Sequence, residues 1–164
     1  MLSIVVARAK NAVIGNSSGG IPWAGKLPSD SKRLREVIKG HRILGSDKTL
    51  SEMKSNYGEL GRIILSRNPL SIQGQVINSI DEARKFANTD EEIVIIGGGS
   101  VFAQLIQYTS KIYLTEIDYE AEGDVYFPEL DMSEWDIVET KSHKKGKNNL
   151  FDYKFSTLVR KNRQ

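Results

Sequence analysis

The run Ile93-Val94-Ile95-Ile96-Gly97-Gly98-Gly99-Ser100-Val101-Phe102 constrains the fold more than any other stretch of this chain, because an apolar strand stops at three glycines and a helix begins at once. A backbone without side chains at the start of a helix lets a phosphate approach free N–H groups. The spacing differs from G-x-G-x-x-G, so by itself it describes a tight strand-to-helix turn. A nucleotide reading needs support from the rest of the chain.

The alternation recurs. Leu2 to Ala7, Ile43-Leu44, Ile63-Ile64-Leu65 and Lys111 to Ile117 read as buried strands. Asp30 to Lys39 reads as a helix, with Ser29 as its N-cap, Leu34, Val37 and Ile38 on one face, and Gly40 closing it in the left-handed conformation. A short helix is expected from Thr49 to Met53, a capping box Ser79-Ile80-Asp81-Glu82 opens another through Ala87, and the helix after the glycines runs through Gln107. Strands alternating with helices make a mainly parallel α/β sheet. The end of the chain differs: Trp135 to Ser142 and Phe151 to Val159 alternate around Lys147-Asn148-Asn149, which predicts an antiparallel edge hairpin. Lys141, Lys144, Lys145 and Lys147 are assigned to its solvated tip. From Lys10 to Lys26 runs a Gly/Asn/Ser-rich loop holding Ile14-Gly15 and Ile21-Pro22-Trp23, and a loop that long in a small domain is usually functional.

Composition narrows the chemistry. A chain of 164 residues is read as one domain over 1–164. Its 23 basic and 21 acidic residues are mixed, for a net charge of +2, so neither a nucleic acid nor a membrane surface is implied as a partner. Cysteine is absent, which removes disulfides, thiolate metal sites and cysteine nucleophiles. His41 and His143 are the only imidazoles, and nothing brings them together, so no protein-bound metal is expected. The apolar start Met1 to Ala7 lacks the basic region of a signal peptide, and no run approaches membrane-span length, so a cytoplasmic protein is expected.

In order along the chain, Ile14-Gly15, Ile21-Pro22-Trp23, Leu27-Pro28-Ser29-Asp30, Ile96-Gly97-Gly98-Gly99, Tyr113-Leu114-Thr115, Glu122-Gly123-Asp124 and Phe127-Pro128 match landmarks of one family, and the chain resembles dihydrofolate reductase over nearly its whole length. Alone, Asp30 is a helix-start acid, Trp23 a core aromatic and Thr115 a strand residue; the joint pattern changes their meaning. The resemblance implies a single α/β domain with a mixed, mostly parallel sheet of about eight strands, flanking helices and the C-terminal hairpin. It implies NADPH-dependent reduction of 7,8-dihydrofolate to tetrahydrofolate by a monomer, with hydride transfer to C6 and protonation at N5. By the same resemblance Asp30, Trp23 and Thr115 are catalytic. Asp30 bonds the pteridine and supports protonation, as donor or through a water; Trp23 fixes a water and closes the pocket; Thr115 orients the carboxylate. A carboxylate in an apolar pocket should have its pKa raised, which suits that task. Val5, Val6, Ala7, Ser31, Leu34, Arg35, Met53, Leu60, Ile96 and Phe102 complete the expected substrate site. For NADPH the resemblance implies Ala7, Ile14, Gly15 and Ile21, then Ser46, Asp47, Lys48, Thr49, Leu65, Ser66 and Arg67, and finally Ile96 with Gly97 to Gly99, Ser100, Val101 and Phe102.

The chain departs from the family pattern in two places. Leu60 stands where an arginine usually grips the α-carboxylate of the folate tail, leaving Arg35 or Arg62 to supply that contact unless the substrate lacks the tail. Ser46, Asp47 and Ser100 replace a glycine and basic residues common near the cofactor phosphates, so preference for NADPH rests on Lys48, Ser66 and Arg67. Two other readings remain open at this point: a reductase of the same fold acting on another pterin or a riboflavin-pathway pyrimidine, and a nucleotide-binding module without turnover.

Overall fold

The computed structural model describes residues 1–68 and 72–162. Eight strands make one mixed sheet in the order β5-β4-β3-β6-β1-β7-β10-β9. In chain order these are β1 (Leu2–Ala9), β3 (Ile43–Ser46), β4 (Arg62–Leu65), β5 (Gln75–Ile77), β6 (Ile93–Gly97), β7 (Thr109–Ile117), β9 (Trp135–His143) and β10 (Tyr153–Arg160), while β2 (Val13–Gly15) and β8 (Val125–Tyr126) pair separately. Pairing is parallel from β5 through β7, and β10 runs antiparallel to both β7 and β9. The expected mixed sheet with a terminal hairpin is therefore the observed one, and it matches the single-domain architecture.

Helices cover both faces of the parallel part, which is why its strands read as continuous apolar runs rather than alternating ones. Along β6, Ile93 and Ile95 enter one core cluster while Val94 and Ile96 pack in another on the opposite face. Leu44 and Ile63 join the first cluster, and their neighbours Ile43 and Ile64 the second. The fully buried ones, Ile43, Leu44, Ile63, Ile64, Ile93, Val94 and Ile95, each remove enough apolar area to contribute about 1.5–3 kcal/mol. At the other extreme, β9 is exposed from Asp136 to Ser142 and forms the sheet edge.

Helix ends depart from expectation in instructive ways. Helix α1 (Pro28–Ile38) starts at Pro28 with Leu27 as an N-cap that makes no side-chain bond. Proline suits the first helical position because its φ is already set and it has no N–H to leave unpaired. Ser29 is not the cap; its hydroxyl accepts from Asn149 Nδ2 at 2.9 Å and its N–H donates to Asn149 Oδ1 at 3.1 Å, tying α1 to the hairpin loop. Gly40 does take the left-handed conformation, at φ 82°. Helix α2 (Asp47–Glu52) begins before Thr49, because Ser46 Oγ caps it by accepting from the Thr49 N–H. Helix α3 (Ile80–Arg84) carries the expected Ser79 cap and tightens into a 3₁₀ turn over 85–88, and helix α4 (Gly99–Leu105) gives way to another over 106–108. The long loop contains β2, and Lys141 lies within β9 rather than at the hairpin tip.

Candidate active site

The C-terminal ends of β1, β3 and β6 open into a cleft of ≈ 440 Å³, the position where parallel α/β sheets hold ligands. One wall is the glycine edge. Gly97 has φ 132°, which disfavours any residue with a side chain, and a Cβ on Gly99 would lie 2.6 Å from Val125 Cγ1. Their peptides face the cleft with Thr49, Ser46 and Lys48 nearby, so bare backbone and a cation line one side.

The other wall is mostly apolar, with Asp30 set among its side chains. Val5, Val6, Ala7, Leu34, Met53, Ile96 and Phe102 line the cleft together with Trp23 and Asp30. Trp23 is 4% exposed and packs with Ala9, Val13, Leu27, Ile117 and Tyr153, so it belongs to a core cluster and to the cleft at once. Asp30 sits in the first turn of α1. Burial pushes its carboxyl above the ordinary carboxylate range, while the hydrogen bond from Thr115 and the charge of Arg33 act in the opposite sense. Thr115 itself is buried in β7, opposite Ala7 of β1 and Phe155 of β10.

Of the residues singled out in the sequence, the cleft also gathers Ile14, Gly15, Ile21, Gly98, Ser100 and Val101. Others stand apart from its lining. Ser31 is exposed on α1, and Arg35 at the end of that helix donates to the Tyr57 hydroxyl at 3.5 Å. Asp47 occupies the first turn of α2, where the helix dipole favours an acid. Leu65, Ser66 and Arg67 lie at the C-terminal end of β4, with Leu65 opposite Ser46. Leu60 is 63% exposed. The Arg62 guanidinium donates to the carbonyls of Tyr57, Leu50 and Lys54 at 3.0, 3.0 and 2.7 Å, holding the α2–β4 connection.

Several cleft residues escaped sequence reasoning: Asn16, Ser17, Gly20, Glu52 and Val125. Ser17 donates its N–H to Asp124 Oδ1 at 2.7 Å and its hydroxyl to Asp124 Oδ2, and accepts from Lys48 Nζ through its carbonyl. The two bonds from Ser17 hold the Asp124 carboxyl below its ordinary range, and together with Lys48 they fix the loop at Ser17, which lines the cleft. Asp124 in Glu122-Gly123-Asp124 was the visible half of this pair; nothing in the sequence marks Ser17. Among the described residues, no three His, Asp or Glu side chains are grouped to hold a metal, and no helix is long and apolar enough to cross a membrane.

Comparison with known proteins agrees with this geometry. The family model described as dihydrofolate reductase matches residues 1–160. The dihydrofolate reductase of Bacillus subtilis (strain 168) is 31% identical over 164 residues, covering 99% of this chain and 96% of its own. That of Haemophilus influenzae is 33% identical over 160 residues, covering 97% and 98%. A solved structure of dihydrofolate reductase from Enterococcus faecalis, complexed with NADP(H) and RAB-propyl, superposes with a TM-score of 0.84 at 30% identity, covering 99% of this chain and 97% of that one. The glycine edge, the buried acid and the whole-length matches agree: the chain belongs to the dihydrofolate reductase family.

Proposed function

We propose that this chain reduces 7,8-dihydrofolate to tetrahydrofolate with NADPH, and that the observation carrying the reading is Asp30, a carboxyl raised by burial in an apolar cleft that also contains the glycine edge. The residues suit the cofactor, since bare peptides at Gly97 to Gly99 allow close approach and the first N–H groups of α4 have no acceptor within the helix. When bound, NADPH supplies the hydride that reaches C6 of the substrate. Asp30 then takes the pteridine edge and serves protonation at N5, directly or through a water. A carboxyl raised toward neutral pH can hold a proton that an ordinary aspartate would have lost. Thr115 fixes the carboxyl, and Trp23 with the loop fixed at Ser17 keeps bulk water from the reacting atoms. Lys48 provides the charge at the phosphate end. The substrate is a small molecule and the working unit a monomer in the cytoplasm.

The folate tail is where this chain is unusual. Leu60 offers no charge, Arg62 is committed to backbone carbonyls, and Arg35 beside Tyr57 is left to meet the α-carboxylate. NADPH oxidation followed by absorbance, with dihydrofolate and a tail-less dihydropterin side by side, tests the reading. Turnover of dihydrofolate that Arg35→Ala weakens through KM supports it; turnover of the tail-less compound alone would assign a different pterin as substrate.

A further inference from the structure

Beneath Asp30, one turn along α1, lies a second charged side chain that the reaction as described does not use. Arg33 is half-buried between α1 and the sheet. Its Nη1 donates to the Leu114 carbonyl at 2.8 Å and to Thr115 Oγ1 at 3.5 Å, and its Nη2 donates to the Ser156 carbonyl at 3.0 Å. The guanidinium plane also lies 4.5 Å from the Phe155 ring centroid, a cation–π distance. A planar fork held at several points by β7 and β10 has little freedom to swing into solvent. The Thr115 hydroxyl lies 3.5 Å from Arg33 Nη1, and Asp30 and Arg33 are one turn apart on α1, so Thr115 stands between the two charged groups.

Resting on the reading of this cleft as the reductase site, we propose that Arg33 is a positioning residue for Asp30. Through Thr115 it fixes which way the hydroxyl points, and through space it holds a positive charge behind the carboxylate. Donation from Arg33 to Thr115 Oγ1 leaves the hydroxyl proton aimed at Asp30, so orientation and charge favour the same ionised carboxylate. The groups that bear on this pair are few. Thr115 faces Asp30 from β7, Glu139 of β9 and Tyr113 of β7 act on Arg33 from the sheet, Phe155 of β10 covers it, and Lys48 and Glu52 border the same cleft from α2. Burial raises Asp30 while Arg33 limits the rise, which sets how much of the enzyme carries a proton there at a given pH.

The test is a titration of the Asp30 carboxyl by carbon NMR in the free protein, its signal assigned by its loss in Asp30→Asn, alongside the pH profile of single-turnover hydride transfer. Removing a fixed opposite charge at this range should raise the proton affinity of Asp30 in Arg33→Met by roughly three- to tenfold. The limb of the pH–rate profile should move to higher pH by the same factor. Arg33→Lys restores the charge and should return the midpoint toward wild type. Arg33→Gln keeps an amide donor for the Leu114 and Ser156 carbonyls without the charge, so it gives the same answer if the methionine variant does not fold. An Asp30 midpoint unchanged in the neutral variants would overturn the proposal and leave Arg33 as a structural brace. Because the titration is read without substrate, it stands or falls independently of whether dihydrofolate is the substrate.

Discussion

The groove between the β9–β10 hairpin and residues 127–132 is larger than the cleft at the glycine edge, ≈ 780 Å³ against ≈ 440 Å³, and it holds more charged side chains. Its charges, however, neutralise one another at the surface. Arg8 and Lys154 both meet Glu116, Lys10 meets Asp118 at 3.1 Å, and Lys144 meets Asp152 at 3.6 Å. Such exposed pairs contribute about 0–1 kcal/mol each and leave no unbalanced field for a ligand. In the smaller cleft one carboxyl is taken out of water among apolar side chains, and its neighbours compensate only in part. Chemistry follows the group whose charge is costly, because that group's protonation can be moved by a substrate.

This contrast makes the two depressions respond differently to substitution. The largest of the secondary effects is expected at the glycine edge. Gly97→Ala forces a side chain onto φ 132°, a strain of about 1–3 kcal/mol, so the Kd for NADPH should weaken by roughly ten- to a hundredfold in a fluorescence titration. Unaltered affinity would mean that the edge does not carry the cofactor.

Next comes the open end of the cleft. If the tail carboxylate is poorly held, Leu60→Arg should lower KM for dihydrofolate by roughly tenfold, about 1.4 kcal/mol, while a tail-less dihydropterin gains nothing. An equal gain for both compounds would point to altered pocket shape instead of a new ion pair.

Stability separates the regions by sign. The folded chain binds the Asp30 proton more tightly than the unfolded chain does, so this group removes stability as pH rises from the ordinary carboxylate value through its raised folded value. Asp30→Asn should therefore raise Tm at neutral pH, with the gain vanishing in acid. A lower Tm at neutral pH would show that the carboxylate is well compensated. The smallest effect is expected in the large groove, where Asp118→Asn should change stability by no more than about 0.5 kcal/mol and leave turnover within roughly twofold. A large loss there would erase the distinction.

The parts of the fold visible in the sequence were those written in contiguous residues. β6, the glycines and α4 follow one another without interruption, so the apolar run, its turn and its helix read as one unit, while the face each side chain takes is visible only in the structure. Short strands were hidden: β2 and β8 are too brief for any period to show, and both lean on a partner more than a hundred residues away. Ser29 had the composition of a cap, yet Pro28 before it and Asn149 across the sheet decided its role. The acid, the tryptophan and the glycine edge of the site were legible as a pattern. The destinations of long side chains were not, since Arg62 and Arg33 each find backbone carbonyls on segments the sequence does not place beside them. An Asp30 to Arg33 spacing on one helix face was the one available hint.

The most direct test follows hydride transfer from NADPH to dihydrofolate by stopped flow at neutral pH, in wild type and Asp30→Asn, with folding of both checked by circular dichroism. If the buried carboxyl carries protonation, the variant should bind NADPH normally and lose roughly two or more powers of ten in rate. A folded variant transferring hydride within twofold of wild type would contradict the account and return Asp30 to the role of a helix-start acid.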